Sequence, residues 1–268
     1  MNILSRELRA GRKTFFFWSL GLFFLVFAGM AKYTGVAADE ASFNALLAQF
    51  PRVVLAVLGI TGVDVEAPGG YYAVLAFYAV ICASIYGVSL GANAVNREAV
   101  DKTYEFIFTK PRSRAAILAM KLTAGLIFLS LFAVLNYLCS IAAVAMLKLG
   151  GDADMNRAAV LFSVSVFLVG LVFFSLAACL CASVRRPEKG ALYGNLCFLA
   201  AFLVGVVCDM LESPGALRLL SPMKYFLPAD LLAGKLDPVY LFVILLLCAV
   251  LLAAAFWRFN KKDLNAAA

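Results

Sequence analysis

Glu98, Asp101, Lys102 and Glu105 recur at i, i+3, i+4 and i+7, the spacing that sets side chains on one face of a helix. Val100, Tyr104, Ile107 and Phe108 recur at i, i+4, i+7 and i+8 and share a second face. Pro111 stops that helix, because the residue before a proline avoids the α region. The chemistry open to such a segment is recognition: an apolar face to anchor and a charged face to set register. It lies between two long apolar runs, and that placement makes its partner the key to function.

Bond-making chemistry is largely excluded. The 268 residues contain no histidine, so neither an HExxH zinc site nor a Ser–His or Cys–His pair can form. No GxxxxGK[ST] occurs, so nothing predicts nucleotide bound by a P-loop. The seven cysteines, Cys82, Cys139, Cys179, Cys181, Cys197, Cys208 and Cys248, fall in or at the edges of apolar runs and show no CxxC; they read as small hydrophobes.

Composition sets the class. Apolar residues make up 64% and charged residues 15%, against about 45–50% and about 25% in soluble domains. A bilayer-crossing helix needs about 20 mostly apolar residues. Six runs qualify: roughly Thr14–Ala31, Tyr71–Asn96, Ala115–Leu147, Ala158–Val184, Gly190–Met210 and Pro238–Trp257. The fold class is therefore an all-α membrane protein, one transmembrane domain over residues 1–268. Strands of a β-barrel would alternate over short segments, and none do. Met1–Lys13, with Ile3, Leu4 and Leu8 opposed to Arg6, Arg9 and Lys13, predicts an interfacial helix ahead of the first span rather than a signal peptide.

With six spans both termini share a side. That side collects 16 of the 23 lysines and arginines, and the positive-inside rule makes it cytoplasmic. The net charge of +7 thus reads as topology and lipid-headgroup contact, not nucleic-acid binding. On the far side, Val36–Gly70 has a helical apolar face that lies on the leaflet or dips into it. Leu211–Asp237, rich in proline, predicts short broken helices packed on the bundle.

The span centres hold no Asp, Glu, Lys or Arg, unlike most ion-coupled carriers. Their polar groups are mild. Asn93, Asn136, Tyr137 and Asn195 are the candidates for a substrate path, with interhelical hydrogen bonding as the alternative. Ala79, Ala83, Gly87 and Gly91 recur every fourth residue and allow close helix approach, within the chain or at a dimer seam.

The run from Glu98 to Lys121 resembles the loop after the second span of type-2 ABC exporter permeases. The matching residues are Glu98, Thr103, Glu105, Phe106-Ile107, Pro111, Ser113, Arg114 and Lys121. Six spans, the N-terminal amphipathic segment and Leu220-Ser221-Pro222 with Tyr225-Phe226 extend the likeness over nearly the whole chain. The resemblance implies that Glu98, Asp101, Thr103, Tyr104, Glu105, Phe106, Ile107, Phe108, Pro111, Ser113 and Arg114 belong to a coupling helix between spans 2 and 3. It implies a separate cytoplasmic P-loop ATPase that uses ATP and Mg, a second permease copy or paralogue, and no enzymatic activity or bound cofactor in this chain. The setting would be a bacterial-type cytoplasmic membrane. The other readings are a non-transporting membrane scaffold and a passive channel or uniporter. Ser113 also suits the N-cap of the third span.

The charge partition predicts that a cysteine at Asp152 is labelled by an impermeant maleimide from outside intact cells and one at Arg186 is not; the reverse pattern would invert the topology.

Overall fold

The computed structural model describes residues 3–33, 35, 47, 49–100, 113–147, 153–184, 189–211 and 215–261. Six helices among them are long and apolar enough to cross a membrane, and no strand occurs among the described residues. The first is α1 (Ile3–Phe23), which continues through a wider π turn at Phe24–Ala28 into Gly29–Ala31. A short helix, α2 (Arg52–Val57), follows. The remaining spans are α3 (Pro68–Val100), α4 (Arg114–Met146), α5 (Ala153–Ser183), α6 (Gly190–Met210) and α8 (Pro238–Lys261). Between α6 and α8 lie 3₁₀ turns at Gly215–Leu220 and Pro222–Lys224 and the short α7 (Pro228–Leu232).

Two helix ends depart from the hydropathy reading. No break separates an interfacial helix from the first span, because α1 runs unbroken from Ile3. The second span does not end at Asn96 but continues to Val100. Hydropathy marks bilayer-length runs, whereas a helix persists while its backbone bonds and side-chain partners persist.

The outer faces are apolar. Phe16 and Phe17 of α1, Phe24 of the π turn that follows it, Leu196 and Leu203 of α6, and Phe242 and Leu246 of α8 are all exposed. Apolar residues both inside and outside are what a lipid solvent demands. Lipid tails are as apolar as leucine, so close packing rather than burial from water must hold the spans together.

The most extensive helix contact is between α3 and α5. The Ala79–Ala83–Gly87–Gly91 stripe faces it. A Cβ at Gly87 would stand 2.4 Å from the Gly170 carbonyl oxygen, and one at Gly91 2.2 Å from that of Phe174. The two backbones touch, and the stripe lies within the chain. Around this seam, α8 packs on α5, α1 on α4, and α6 on both α3 and α5. Hydrogen bonds supplement it: Tyr72 Oη donates to Ser140 Oγ at 2.7 Å, and Asn136 Nδ2 to Ser163 Oγ at 2.9 Å.

The end of the bundle opposite both termini is closed by the proline-rich stretch, which forms the short helical pieces its composition predicts. Arg218 donates to the carbonyls of Lys224 and Tyr225 at 2.7 and 3.0 Å and lies over the Tyr240 ring. Lys224 pairs with Asp209 at 2.5 Å. Met223, Tyr225, Phe226 and Leu231 are buried beneath. Helix α2 rests on α6, with Ala56 buried and Val53 and Val57 exposed.

The seam predicts that Gly87→Ala, which drives a methyl into a backbone carbonyl, destabilises the bundle by about 1–3 kcal/mol. Gly21→Ala, with nothing within 4 Å of the new Cβ, is neutral or stabilises by about 0.5–1 kcal/mol. Thermal melts of the two variants in detergent check this; equal melting points would disprove the contact.

Candidate functional site

Glu98 sits in the last turn of α3, is only 5% exposed, and turns into the bundle. Of the expected charged face, Asp101, Lys102 and Glu105 lie outside the described residues. The partners of Glu98 explain its burial. Lys121, from the second turn of α4 and 3% exposed, bonds one carboxylate oxygen, and Arg6 of α1 bonds the other at 2.7 Å. A carboxylate with two cationic donors at hand is more stable inside than against the membrane edge without them.

The pair extends into a cluster. Arg6 also bonds Glu7 at 2.7 Å, and Arg97 reaches the other Glu7 oxygen at 3.3 Å. Glu7 is 7% exposed. Three helix ends, those of α1, α3 and α4, are thus joined by five charged residues. Apolar contacts run beside them. Ile3 and Ile117 are buried together, and Gly11 lies so close to Phe128 that a Cβ would come within 2.4 Å of its ring. A cavity of about 50 Å³ remains among Glu7, Gly11, Asn93, Arg97, Lys121 and Phe128.

Sequence reasoning missed Arg6, Glu7 and Arg97 as members of this cluster. A signal existed: Glu7 interrupts a basic segment, and Lys121 stands inside the third apolar run with no neighbour of opposite charge in sequence. Such a lysine needs a partner from elsewhere.

The other candidates are distributed as follows. Ser113 caps α4, its Oγ accepting from the Ala116 amide at 3.3 Å, as its position before the span predicts. Arg114 is exposed in the first turn of the same helix. Asp101, Thr103, Tyr104, Glu105, Phe106, Ile107, Phe108 and Pro111 lie outside the described residues. Asn93 is exposed, lines the small charged cavity and bonds Ser89 weakly at 3.5 Å. Tyr137 lines a different space, a groove of about 360 Å³ between α4 and α5 with Ser130, Ser163 and Phe167. Asn136 is buried behind it on Ser163, and Asn195 is exposed on α6. Asn93 and Tyr137 therefore do not share a cavity.

The bundle of six long apolar helices is that of a multi-pass membrane protein. The sequence model of the ABC-2 family transporter proteins matches residues 1–264, and the chain belongs to that family. No curated protein matches the chain. Family membership makes it the membrane component of an ABC transporter, a multi-pass transport protein and not itself the ATPase.

The Glu98–Lys121 pair makes a quantitative prediction. Removing one partner of a buried ion pair costs about 3–5 kcal/mol, whereas replacing both can be nearly neutral. Lys121→Met should therefore destabilise the chain far more than Lys121→Met combined with Glu98→Gln. Thermal or denaturant unfolding of the singles and the double gives the coupling energy; additive effects would mean the pair is not formed.

Proposed function

We propose that this chain is the membrane half of an ATP-driven exporter. A separate cytoplasmic P-loop ATPase, using ATP and Mg, docks on the Asp101–Arg112 segment, and two permease chains form the pathway. The chain resides in a bacterial-type cytoplasmic membrane with both termini inside. The observation that carries this is family membership over residues 1–264 in a sequence with no P-loop. A transporter of this family generally works with an ATP-binding partner, and nothing in these 268 residues supplies one.

The pairing of Glu98 with Lys121 adds support. Both residues belong to the resemblance, and they flank the docking segment on its two sides. The segment thus leaves and re-enters a braced part of the bundle. A docked helix anchors by aromatic and aliphatic side chains, and its rim charges set register. Phe106, Ile107, Phe108 and Tyr104 are the anchors in this reading. Glu105 and Asp101 set register.

The lining of the spans supports a substrate class. Tyr72 pairs with Ser140 and Asn136 with Ser163 between spans, and the groove of about 360 Å³ between α4 and α5 is lined by apolar side chains and the hydroxyls of Ser130, Tyr137 and Ser163. Such a surface suits hydrophobic or amphipathic cargo rather than a bare ion.

The test is co-purification. Phe106→Asp with Phe108→Asp should abolish recovery of the ATPase with the chain while leaving its membrane level unchanged. Arg114→Ala should impair recovery more than Arg112→Ala. Normal recovery of the ATPase with the double variant would remove the docking segment from this role and favour a scaffold.

A further inference from the structure

The cluster of Arg6, Glu7, Arg97, Glu98 and Lys121 has a geometry that docking alone does not require. Its members come from three helices far apart in sequence, with separations of 92, 90 and 23 residues for its three interhelix bonds. Two of the three helices, α3 and α4, are those joined by the 101–112 segment. The third, α1, has no covalent link to that segment. Yet Arg6 and Lys121 share one carboxylate, on Glu98, and Glu7 takes Arg97 from the adjacent position on α3. Among the described residues, the ionic contacts that join α1 to another helix are made to residues 97–98, just ahead of the segment.

We infer that this cluster is a positioning clamp: Glu98, shared between Lys121 and Arg6, makes α1 move with the two ends of the segment that the ATPase drives. The inference rests on the proposed ATPase coupling. A buried ion pair is weak evidence for stability, since apolar replacements of similar volume are often as stable. Its better-attested use is to fix register between elements. The contacts around it fit that use. Where α3 meets α5 the backbones touch and no volume is left to adjust. At the cluster, where α1 meets α3 and α4, flexible arginine and lysine arms lie beside the Ile3–Ile117 contact, the Phe15 and Phe128 rings and a cavity of about 50 Å³. This joint can change its angle without parting, because long cationic side chains keep their carboxylates over a range of positions.

The clamp also accounts for α1 being one unbroken helix. A joint between an interfacial helix and the first span would absorb a displacement at Arg6. With helix continuous from Ile3 to Phe23, a displacement at Arg6 and Glu7 is carried into the membrane-spanning part. There Trp18 lies against Tyr86 with ring centroids 5.4 Å apart.

The test uses the full chain in complex with the ATPase that co-purifies with it. Amide hydrogen exchange of residues 3–13 and of 96–112 is compared between the nucleotide-free complex and the complex trapped with ATP and vanadate. In the wild type both stretches should change their exchange on trapping. In Lys121→Gln the ATPase should still co-purify and 96–112 should still respond, while the response of 3–13 falls several-fold. Lys121→Arg should restore it, which a purely space-filling role would not predict. If Lys121→Gln does not fold, Glu7→Gln, which loosens only the outer half of the cluster, should weaken the response of 3–13 in the same sense. A wild-type response confined to 96–112, or an unaltered response of 3–13 in a folded clamp variant, would overturn the clamp and leave the ATPase reading standing. Recovery of the wild-type chain with no ATPase would overturn that reading and the clamp with it.

Discussion

Backbone contact between α3 and α5 is the constraint on which the rest of the bundle depends. In a lipid solvent no hydrophobic gain comes from pressing one apolar helix on another. What remains is dispersion, which falls off steeply when surfaces part. Glycine at 87 and 91 removes the side chains that would hold the helices apart, and Gly170 does the same from the other side, with the Ala83 carbonyl oxygen 3.2 Å from where its Cβ would be. The larger residues then pack at the margins of this seam. Phe173 and Phe174 on α5 are fully buried against neighbouring spans, and Tyr72 and Tyr86 on α3 fill the opposite side. Helices α1, α4, α6 and α8 are placed by what the seam leaves uncovered.

Charge is handled by the same economy of space. The described spans keep their ionic groups at the two ends. At the capped end, Lys224 and Asp209 form a half-buried pair beside the turns that Arg218 holds together. At the other, Arg6, Glu7, Arg97, Glu98 and Lys121 bond one another. Basic residues outside this cluster, Arg9, Arg12 and Lys13 on α1, are exposed. Arg258 and Lys261 lie against the face of Trp257, itself exposed at the end of α8. An indole flanked by cations at a helix end is at home among lipid headgroups.

The helices were legible in the sequence because their signal is redundant: some 20 apolar residues must follow one another, and a few substitutions do not hide the run. Helix ends were less legible. The helical stretches at 3–13 and 97–100 lie in charged sequence, where hydropathy carries no information. The small-residue stripe was visible, but not which surface it met, because the same spacing serves any close neighbour. Ser113 could be placed as a cap because capping is local. Glu98 could not, since its partners lie on α1 and α4. The four polar candidates Asn93, Asn136, Tyr137 and Asn195 shared a residue type, not a location. Which helix face each occupies depends on rotation about the helix axis, and a helix apolar all round gives no moment from which to read it.

The two kinds of contact, backbone seam and ionic cluster, divide the bundle mechanically. Helix α3 belongs to both. Along most of its length it is locked to α5 by atoms that cannot approach or slide without collision, so those two helices form the part least able to deform. Near its end, Arg97 and Glu98 meet charged arms from α1 and α4. A force applied beyond Val100 therefore reaches α3 at the point where it is bound by adjustable bonds rather than by touching backbones. It encounters α1 and α4 before it encounters the rigid pair. In a bundle built this way, the helices free to tilt are the peripheral ones. The exposed surfaces these helices carry include the apolar groove between α4 and α5 and the face of α1 with Phe16, Phe17 and Leu20. Apolar outer surface and polar joint thus fall on different parts of the same helices.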